Sequence, residues 1–306
     1  MNLIDIQNIT KKYSNHTALE NVSFSIQKGR IFGLLGPNGA GKTSLIRILN
    51  QISYPDQGEI YFNGHILSSK DVESVGYLPE ERGLYKKMKV GEEALYLAQL
   101  KGLPKEVALQ RLHQQFQKFE IENWWNRKVE ELSKGMQQKV QFITTIVHNP
   151  SLLILDEPFS GFDPINTNLL KEEILQLKEQ GTTIILSTHN MTSVEEICDD
   201  IVLINKAHKV LEGNVADIKQ HYKHNQFLVK IEGLTAPLSS TQNFQILDQK
   251  TTNRDTTFTL QIDKSINANE LLKDLLPYGT ITNFQEILPS MNEIFIQTVK
   301  ENQQKI

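Results

Sequence analysis

The sequence predicts an α/β protein with a mostly parallel β-sheet, an inserted helical segment and a small α+β domain at its C-terminal end. Three observations predict this fold class. From residue 151 onward, short apolar runs alternate with helical patterns, which is typical of a parallel sheet flanked by helices. Residues 91–148 are helical in pattern. After about residue 222 the strands and helices are segregated, which indicates a separate α+β domain.

Length and composition indicate a globular protein of two domains. Its 306 residues exceed the ~250 at which a single core commonly stops growing. A hydrophobic fraction of 39% and a charged fraction of 22% are ordinary, and the net charge of −4 gives no reason to expect nucleic acid as a partner. Apolar runs stay far below the ~18 residues of a membrane span, Met1–Tyr13 lacks the apolar region of a signal peptide, and the single Cys198 suits the reducing cytosol. We therefore expect a cytoplasmic protein.

The individual elements follow from hydrophobic periodicity and from turn residues. In the first part we predict strands over 3–9, 22–26, 31–35 and 59–62, and a helix over 44–49. The inserted segment is predicted to hold helices over 92–102, 105–119 and 133–148, with Leu109, Leu112, Phe116 and Phe119 on one face of the second. Strands over 152–155, 182–187, 201–204 and 209–211 follow, with helices over 164–179 and 193–198. The last domain is predicted to have strands over 227–232, 244–249, 256–262 and 280–287 and helices over 269–276 and 291–299.

The most informative stretch is a glycine-rich loop between a predicted strand and a predicted helix. It reads Gly36-Pro37-Asn38-Gly39-Ala40-Gly41-Lys42-Thr43, followed by Ser44, and matches G-x-x-x-x-G-K-[ST]. Its backbone N–H groups and the helix N-terminus would surround one anion, here the phosphates of a nucleoside triphosphate. We expect Lys42 to reach the β- and γ-phosphates and the Thr43 hydroxyl to bind Mg²⁺. The alternative is an ordinary glycine-rich turn before a helix.

A second phosphate-related motif ends the apolar strand predicted over 152–155. Asp156 and Glu157 follow that strand directly. A buried parallel strand delivers its last residues to the sheet edge where ligands bind. Asp156 would hold Mg²⁺ there, directly or through a water, and Glu157 would orient or deprotonate the attacking water. An acidic strand end in solvent is the alternative, but the loop of Lys42 in the same chain favours the functional interpretation.

Seven ordered motifs over roughly residues 1–220 resemble those of the ATP-binding subunit of an ABC transporter. They are Tyr13 (adenine stacking), 36–43 (phosphate loop), Glu80 at the position of the Q-loop glutamine, Leu132-Ser133-Lys134-Gly135-Met136-Gln137-Gln138 (similar to the signature LSGGQ), Asp156-Glu157 (acid pair), Ser160-Gly161-Phe162-Asp163 (D-loop) and His189 (H-loop). The order of the motifs makes the resemblance specific, because a phosphate loop alone is shared by many NTPases.

The resemblance implies ATP and Mg²⁺ as cofactors and a head-to-tail dimer with ATP between the two copies. Ser133 and Gly135 of one copy would then bind the γ-phosphate held by the other. His189 would lie beside that phosphate, whereas Asp163, which precedes a proline, is equally explained as a helix cap or as an interface residue. Glu80 would approach Mg²⁺ and the attacking water. A homodimer or a pair with a second ATPase chain would satisfy these roles.

Three positions depart from the family pattern. Lys134 and Met136 replace a glycine and the glutamine of the signature, although the two residues that face the phosphate are kept. Glu80 replaces a neutral amide and adds a negative charge beside Asp156 and Glu157, which like-charge repulsion or bound Mg²⁺ would have to accommodate. We expect ATP hydrolysis with an altered affinity between the two copies.

Two segments resemble one branch of the family, the bacterial sodium-efflux-type exporters. They are Gly76-Tyr77-Leu78-Pro79-Glu80-Glu81-Arg82-Gly83-Leu84-Tyr85 and Met291-Asn292-Glu293-Ile294-Phe295-Ile296. We therefore expect an ATP-binding domain over 1–222, with a helical subdomain at about 88–148, and an accessory domain over 223–306. The permease would be a separate chain and would hold this one at the inner face of the cell membrane. The alternatives are a soluble ABC ATPase that clamps nucleic acid or ribosomes, and a small-molecule kinase.

Overall fold

The computed structural model describes residues 1–81, 83–252, 255–263 and 265–303. The chain divides into two compact units. One comprises Met1–Val215 together with the stretch from Thr298 onward, and the other comprises Ala216–Gln297. The domain boundary expected at 222/223 stays a prediction that a truncation can test.

The first unit contains a small antiparallel sheet and a larger, mostly parallel one. The strands of this unit are β1 (Asn2–Tyr13), β2 (His16–Gln27), β3 (Ile31–Leu35), β4 (Gln57–Phe62), β5 (His65–Ile66), β6 (Val75–Leu78), β7 (Leu152–Asp156), β8 (Thr183–Ser187), β9 (Asp200–Asn205) and β10 (His208–Asn214). The antiparallel sheet has the order β2-β1-β4-β5, and the larger sheet has the order β10-β9-β3-β8-β7-β6. All neighbours in the larger sheet are parallel except β10 and β9. The predicted fold class is thereby confirmed.

Helices flank this sheet and form the inserted lobe. They are α1 (Lys42–Leu49), α2 (Val90–Leu100), α3 (Lys105–Lys118), α4 (Lys134–Ile146), α5 (Pro164–Glu179) and α6 (Met191–Ile197). The next helix, α7 (Val215–His221), belongs to the second unit except for its first residue. Short 3₁₀ turns lie at Asp71–Ser74, Glu122–Trp124 and Val129–Glu131. In the lobe, α3 buries Ala108, Leu112 and Phe116, whereas Leu109 is only half-buried, so the buried face is rotated slightly from the predicted one.

The core of the first unit explains why apolar and polar residues do not alternate along the central strands. Every residue of β3, β7 and β8 is buried, as expected for parallel strands covered on both faces. One apolar cluster joins the two sheets, and within it Phe24 and Phe32 stack with ring centroids 5.3 Å apart. The larger sheet is therefore packed against the antiparallel sheet through this cluster.

The sheet order brings the predicted motifs to one edge. The strands β3, β8, β7 and β6 are neighbours, and their carboxyl ends lead into the phosphate loop, His189, the acid pair and Glu80 respectively. In parallel sheets, the carboxyl ends of the strands form the ligand-binding edge. Four motifs that are far apart in the chain therefore meet.

The second unit is an antiparallel sheet with its own apolar core. Its elements are β11 (Gln226–Glu232), β12 (Phe244–Thr252), β13 (Asp255–Ile262), α8 (Ala268–Leu275), a 3₁₀ turn (Leu276–Tyr278) and β14 (Thr280–Ile287), and α9 (Met291–Gln303) spans the division between the units. The strand order is β12-β13-β11-β14. Alternate residues of β11 and β13, among them Val229 and Phe258, pack with Leu271 of α8 in this core. The predicted α+β character is confirmed.

Candidate functional site

The glycine-rich loop wraps closely around the amine of Lys42. Lys42 is 9% exposed, and its Nζ donates to the carbonyl of Gly36 at 2.7 Å and to that of Pro37 at 3.2 Å. Burial lowers the pKa of this amine, while the carboxylates of Glu157, Asp156 and Glu80 act in the opposite direction. A buried cation held only by loop carbonyls suits a site that receives an anion.

The path of the loop requires glycine at two positions. Gly36 has φ +152°, and a Cβ there would lie 2.2 Å from the carbonyl oxygen of Ile204. At Gly41, with φ +116°, it would lie 2.2 Å from that of Ala18. Backbone N–H groups can therefore line the cradle without side chains in between.

A cavity of about 400 Å³ opens in front of the loop. Its lining includes most of the sequence-predicted residues, namely Tyr13, Asn38, Gly39, Ala40, Gly41, Lys42, Thr43, Ser44, Glu80, Asp156, Glu157 and His189. His16 and Ala18 line it too and were not predicted. Both are on β2, and the hairpin register, which pairs His16 with Tyr13, brings them to the cavity, so no local sequence pattern identifies them. Gly36 and Pro37 are not among the lining residues, but their carbonyls accept the hydrogen bonds of the Lys42 amine.

Tyr13 lies at the end of β1 with 41% of its surface exposed. The Lys11 amine lies 5.3 Å from the centre of the Tyr13 ring. The exposed ring offers an aromatic surface at the rim of the cavity, which is the property that stacking on a base requires.

Glu157 is held in place by the loop that follows β8. One carboxylate oxygen accepts from the Thr188 hydroxyl at 3.1 Å, and the other accepts from the His189 backbone N–H at 3.0 Å. The latter oxygen also lies 2.6 Å from Nδ1 of the exposed His189 ring. Glu157 has φ +49°, a left-handed conformation that a non-glycine residue adopts at a cost, and its N–H donates to Ser187 at 2.8 Å. The backbone thus directs this carboxylate toward His189.

Asp156 is the buried member of the acid pair, with 5% of its surface exposed. Burial raises the pKa of this carboxyl, and the negative charges of Glu80 and Glu157 raise it further. Several carboxylates without a bound cation repel one another, so a divalent cation would relieve the repulsion.

The donor set fits Mg²⁺ bound together with a nucleotide. The cavity combines carboxylate oxygens of Asp156 and Glu80 with the Thr43 hydroxyl, and oxygen ligands are those that Mg²⁺ prefers. Within the described ranges, no three His, Cys, Asp or Glu side chains are close enough to hold a metal ion by themselves. Phosphate oxygens and water would have to complete the shell, which is how Mg²⁺ is commonly bound beside phosphates.

Ser133, Gly135 and Asp163 are not among the residues that line the cavity. Ser133 caps α4, and its hydroxyl accepts from the Met136 N–H at 3.3 Å. A Cβ on Gly135 would lie 3.7 Å from the Gly161 carbonyl oxygen, so the signature segment is next to the D-loop segment. Asp163 caps α5 by accepting from the Asn166 N–H at 2.9 Å, which confirms the capping interpretation and leaves the interface role a prediction.

Comparison with known proteins identifies the family. Residues 19–160 match the ABC transporter family model. The chain is 39% identical to the uncharacterized ABC transporter ATP-binding protein YhaQ of Bacillus subtilis over 97% of this chain and 98% of that protein. This chain belongs to the ABC transporter ATP-binding subunits. Residues 213–299 of the subunit match a further model, the C-terminal domain of DrrA1-3-like ATP-binding proteins.

Two further similarities refine the assignment of the subunit. It is 34% identical to the ABC transporter ATP-binding protein NatA of Bacillus subtilis over 64% of this chain and 81% of NatA. A solved ATP-binding subunit of an ABC transporter superposes with a TM-score of 0.67 at 31% identity, over 72% of this chain and 93% of that one. The predicted resemblance to ABC transporter ATP-binding subunits is confirmed, and NatA is one of the relatives. Across the described ranges no helix combines the length and the apolar composition needed to traverse a bilayer.

Proposed function

We propose that this subunit hydrolyses ATP and that ATP-driven pairing of two copies powers a separate membrane permease. The observation that carries the proposal is the division of the predicted residues between two places. Residues for the phosphates and for the acid pair surround one cavity, whereas Ser133, Gly135 and Asp163 lie outside it. A γ-phosphate in the cavity of one copy would meet Ser133 and Gly135 of the other, at the start of helix α4.

Within the cavity, Glu157 is the proposed general base. Hydrogen bonds from Thr188 and from the His189 N–H orient both of its oxygens, and an oriented carboxylate can accept a proton from the attacking water. Lys42 and the loop N–H groups would bind the phosphate oxygens, and Tyr13 would stack on adenine. Mg²⁺, held by Thr43, Asp156 and Glu80, would neutralise the phosphate charge when it is bound with ATP.

The two copies would be coupled by differential binding. ATP contacts both copies only in the closed pair, so it favours that pair, and loss of the γ-phosphate removes the preference. A homodimer has two equivalent sites of this kind. Pairing with a second, different ATP-binding chain is the alternative, and it would require the same two halves of the site.

A groove next to the loop after Glu80 is the proposed contact for the permease. It has a volume of about 470 Å³, and its lining includes the apolar side chains of Tyr77, Leu84, Leu97 and Leu100. Leu100 lines this groove and is 63% exposed, and contiguous exposed apolar surface is a feature of interaction sites. We propose that an apolar helix of the permease occupies this groove and holds the subunit at the inner face of the membrane.

The direction of transport is proposed to be export, because the subunit is similar to NatA and resembles the sodium-efflux exporters in the segment after Gly76. Membrane fractionation distinguishes this proposal from a soluble clamp on nucleic acid. The transporter subunit should require its permease to stay on membranes, whereas a clamp would follow ribosomes or nucleic acid.

The substitution Glu157→Gln tests the proposed chemistry. The variant keeps the side-chain volume but removes the base, so we expect retained ATP binding, turnover reduced by roughly 100-fold or more, and a dimer that persists with ATP and magnesium. Phosphate release and size-exclusion chromatography measure these outcomes. Glu106→Gln, an exposed position in the first turn of α3, is the matched control. Brisk hydrolysis by Glu157→Gln would exclude Glu157 as the base.

A further inference from the structure

A glutamate at the start of α2 is completely buried. Glu93 has 0% of its surface exposed, and one of its carboxylate oxygens accepts from the backbone N–H of Tyr85 at 2.7 Å. The other oxygen, Oε2, is buried and has no hydrogen-bond partner among the residues that the structure describes. Burial raises the pKa of this carboxyl. A leucine would fill a similar volume without the cost of burying a carboxyl group, so stability alone does not account for a glutamate here.

The hydrogen bond from Tyr85 fixes the backbone at Tyr85, in the segment that follows Glu80. Glu80 is at the rim of the ATP cavity, and Tyr85 lies five residues further along the chain. Beyond Tyr85, the loop pairs with a segment of the helical lobe. The Lys86 carbonyl accepts from the Glu130 N–H at 3.0 Å, and the Met88 carbonyl accepts from the Val129 N–H at 3.0 Å.

The paired segment leads directly into the signature. Val129–Glu131 is a 3₁₀ turn, and Leu132 and Ser133 follow it. Gln137 in α4 ties the two parts together, because its Nε2 donates to the carbonyls of Val129 at 3.2 Å and Leu132 at 3.0 Å. Hydrogen bonds therefore connect Lys86 and Met88 with the segment before the signature and, through Gln137, with α4.

We propose that Glu93 is a positioning residue of the ATPase: by holding the Tyr85 backbone it keeps Glu80 at one site and Ser133 at the other in a single rigid frame. The inference rests on the proposed function, since it assumes that both ends contact ATP. Glu93 does not touch the nucleotide. It acts through the loop, so that a change around the phosphate in one cavity displaces the signature that serves the opposite cavity.

The first experiment compares three variants of the full chain in steady-state ATP hydrolysis. Glu93→Leu removes the acceptor, and we expect kcat to fall roughly tenfold with little change in KM for ATP. Glu93→Gln keeps a carbonyl oxygen for the Tyr85 N–H and should restore most of the rate. Glu92→Leu, at the exposed neighbouring position, is the matched control. A Glu93→Leu enzyme with native kcat, or a Glu93→Gln enzyme as impaired as Glu93→Leu, would overturn the proposal.

A second experiment uses tryptophan fluorescence to follow movement of the helical lobe when ATP binds. The chain has two tryptophans, both in the helical lobe, and the Gly91 N–H donates to the Trp125 carbonyl at 2.9 Å, beside the paired segment. With Glu157→Gln present to block turnover, adding ATP and magnesium should change the tryptophan emission. The change should be lost with Glu93→Leu although the nucleotide still binds. An undiminished change in that variant would contradict the proposed frame.

A third measurement needs neither ATP nor a variant that folds, because it uses the native chain. In the native chain the amide of Tyr85 should exchange with deuterium at least tenfold more slowly than that of the exposed Lys87. Equal rates would show that the hydrogen bond to Glu93 does not hold the loop and would overturn the proposal. Absence of ATP binding by the native chain would instead contradict the proposed function, so the two failures are distinguishable.

Discussion

At the residue scale, the ATP cavity concentrates negative charge around a single buried lysine. Glu80, Asp156 and Glu157 all line the cavity with Lys42. Burial raises the pKa of Asp156, and the charges of Glu80 and Glu157 raise it further although the cation of Lys42 is near. The charge that Glu80 adds, in place of the family's neutral amide, is therefore open to a direct test.

We expect Glu80→Gln to keep ATP hydrolysis. Glu80 is exposed at the rim, and a charge at a solvated position contributes on the order of 1 kcal/mol, so KM for ATP should fall by at most roughly fivefold. Glu81→Gln, which alters the neighbouring exposed carboxylate outside the cavity, is the control. Steady-state kinetics check both variants, and complete loss of turnover in Glu80→Gln would show that the carboxylate itself is required.

His148 links protonation to folding. Burial, together with the cation of Lys101, lowers the pKa of its ring from 6.5 to about 4. The unfolded chain therefore takes up a proton below pH 6.5, which the folded chain does not do until about pH 4. Over this window the free energy of unfolding should decrease by up to roughly 3 kcal/mol as the pH falls. His148→Gln should flatten this decrease in urea titrations at pH 4.5 and 7, whereas His224→Gln, at an exposed position, should not.

At the scale of elements, the helical lobe depends on a close approach between α2 and the segment before the signature. A Cβ on Gly91 would lie 2.2 Å from the Trp125 ring, which also stacks on His113 at 4.6 Å and meets Phe116 edge-on at 5.1 Å. The ring is thus confined on several sides, and there is no free space for an added methyl group.

Gly91→Ala should therefore destabilise the protein. Overpacking of this kind typically lowers the free energy of unfolding by about 1–3 kcal/mol. Urea unfolding followed by circular dichroism measures the change. Gly83→Ala is the control, because a Cβ there meets nothing within 4 Å. Equal stabilities of the two variants would contradict the tight packing of Trp125.

Local sequence signals account for the elements that were predicted well. Residues 164–179 form a helix with the predicted bounds, because Asp163 and Pro164 supply both a cap and a first-turn residue. Strand β6 was not assigned, since Gly76 interrupts a four-residue apolar run. Its glycine has a tertiary reason, because a Cβ would lie 2.7 Å from the Thr145 carbonyl oxygen of α4. The polar helix α7 was also missed.

The candidate site also contains residues that a local sequence pattern predicts and residues that it does not. The phosphate loop and the acid pair are continuous in the chain and could be predicted as motifs. His16 could not, because it reaches the cavity through hairpin register. Nor could Glu93, whose role depends on burial and on a backbone N–H eight residues away. Neither fact is contained in a local pattern.

At the scale of the whole molecule, the chain consists of two compact units with separate apolar cores. Truncation after residue 222 tests the predicted boundary, and we expect the remaining chain to fold, bind ATP and lose regulation or assembly. Circular dichroism and nucleotide binding check the outcome. A second truncation after Gln297 isolates the effect of the terminal stretch, which clusters with the first unit. Aggregation of the shorter chain alone would show that the accessory domain is part of the folding unit.

In the proposed head-to-tail pair, the separation of Ser133 from the cavity that holds Lys42 also has a genetic consequence. A chain defective in the phosphate loop and a chain defective at the start of α4 are each inactive as pure populations. In a pair made of one chain of each kind, both defects lie in the same ATP site. The other ATP site then contains an intact phosphate loop and an intact start of α4. Two silent alleles expressed together would therefore regain transport, a form of complementation that a site contained within one chain cannot give.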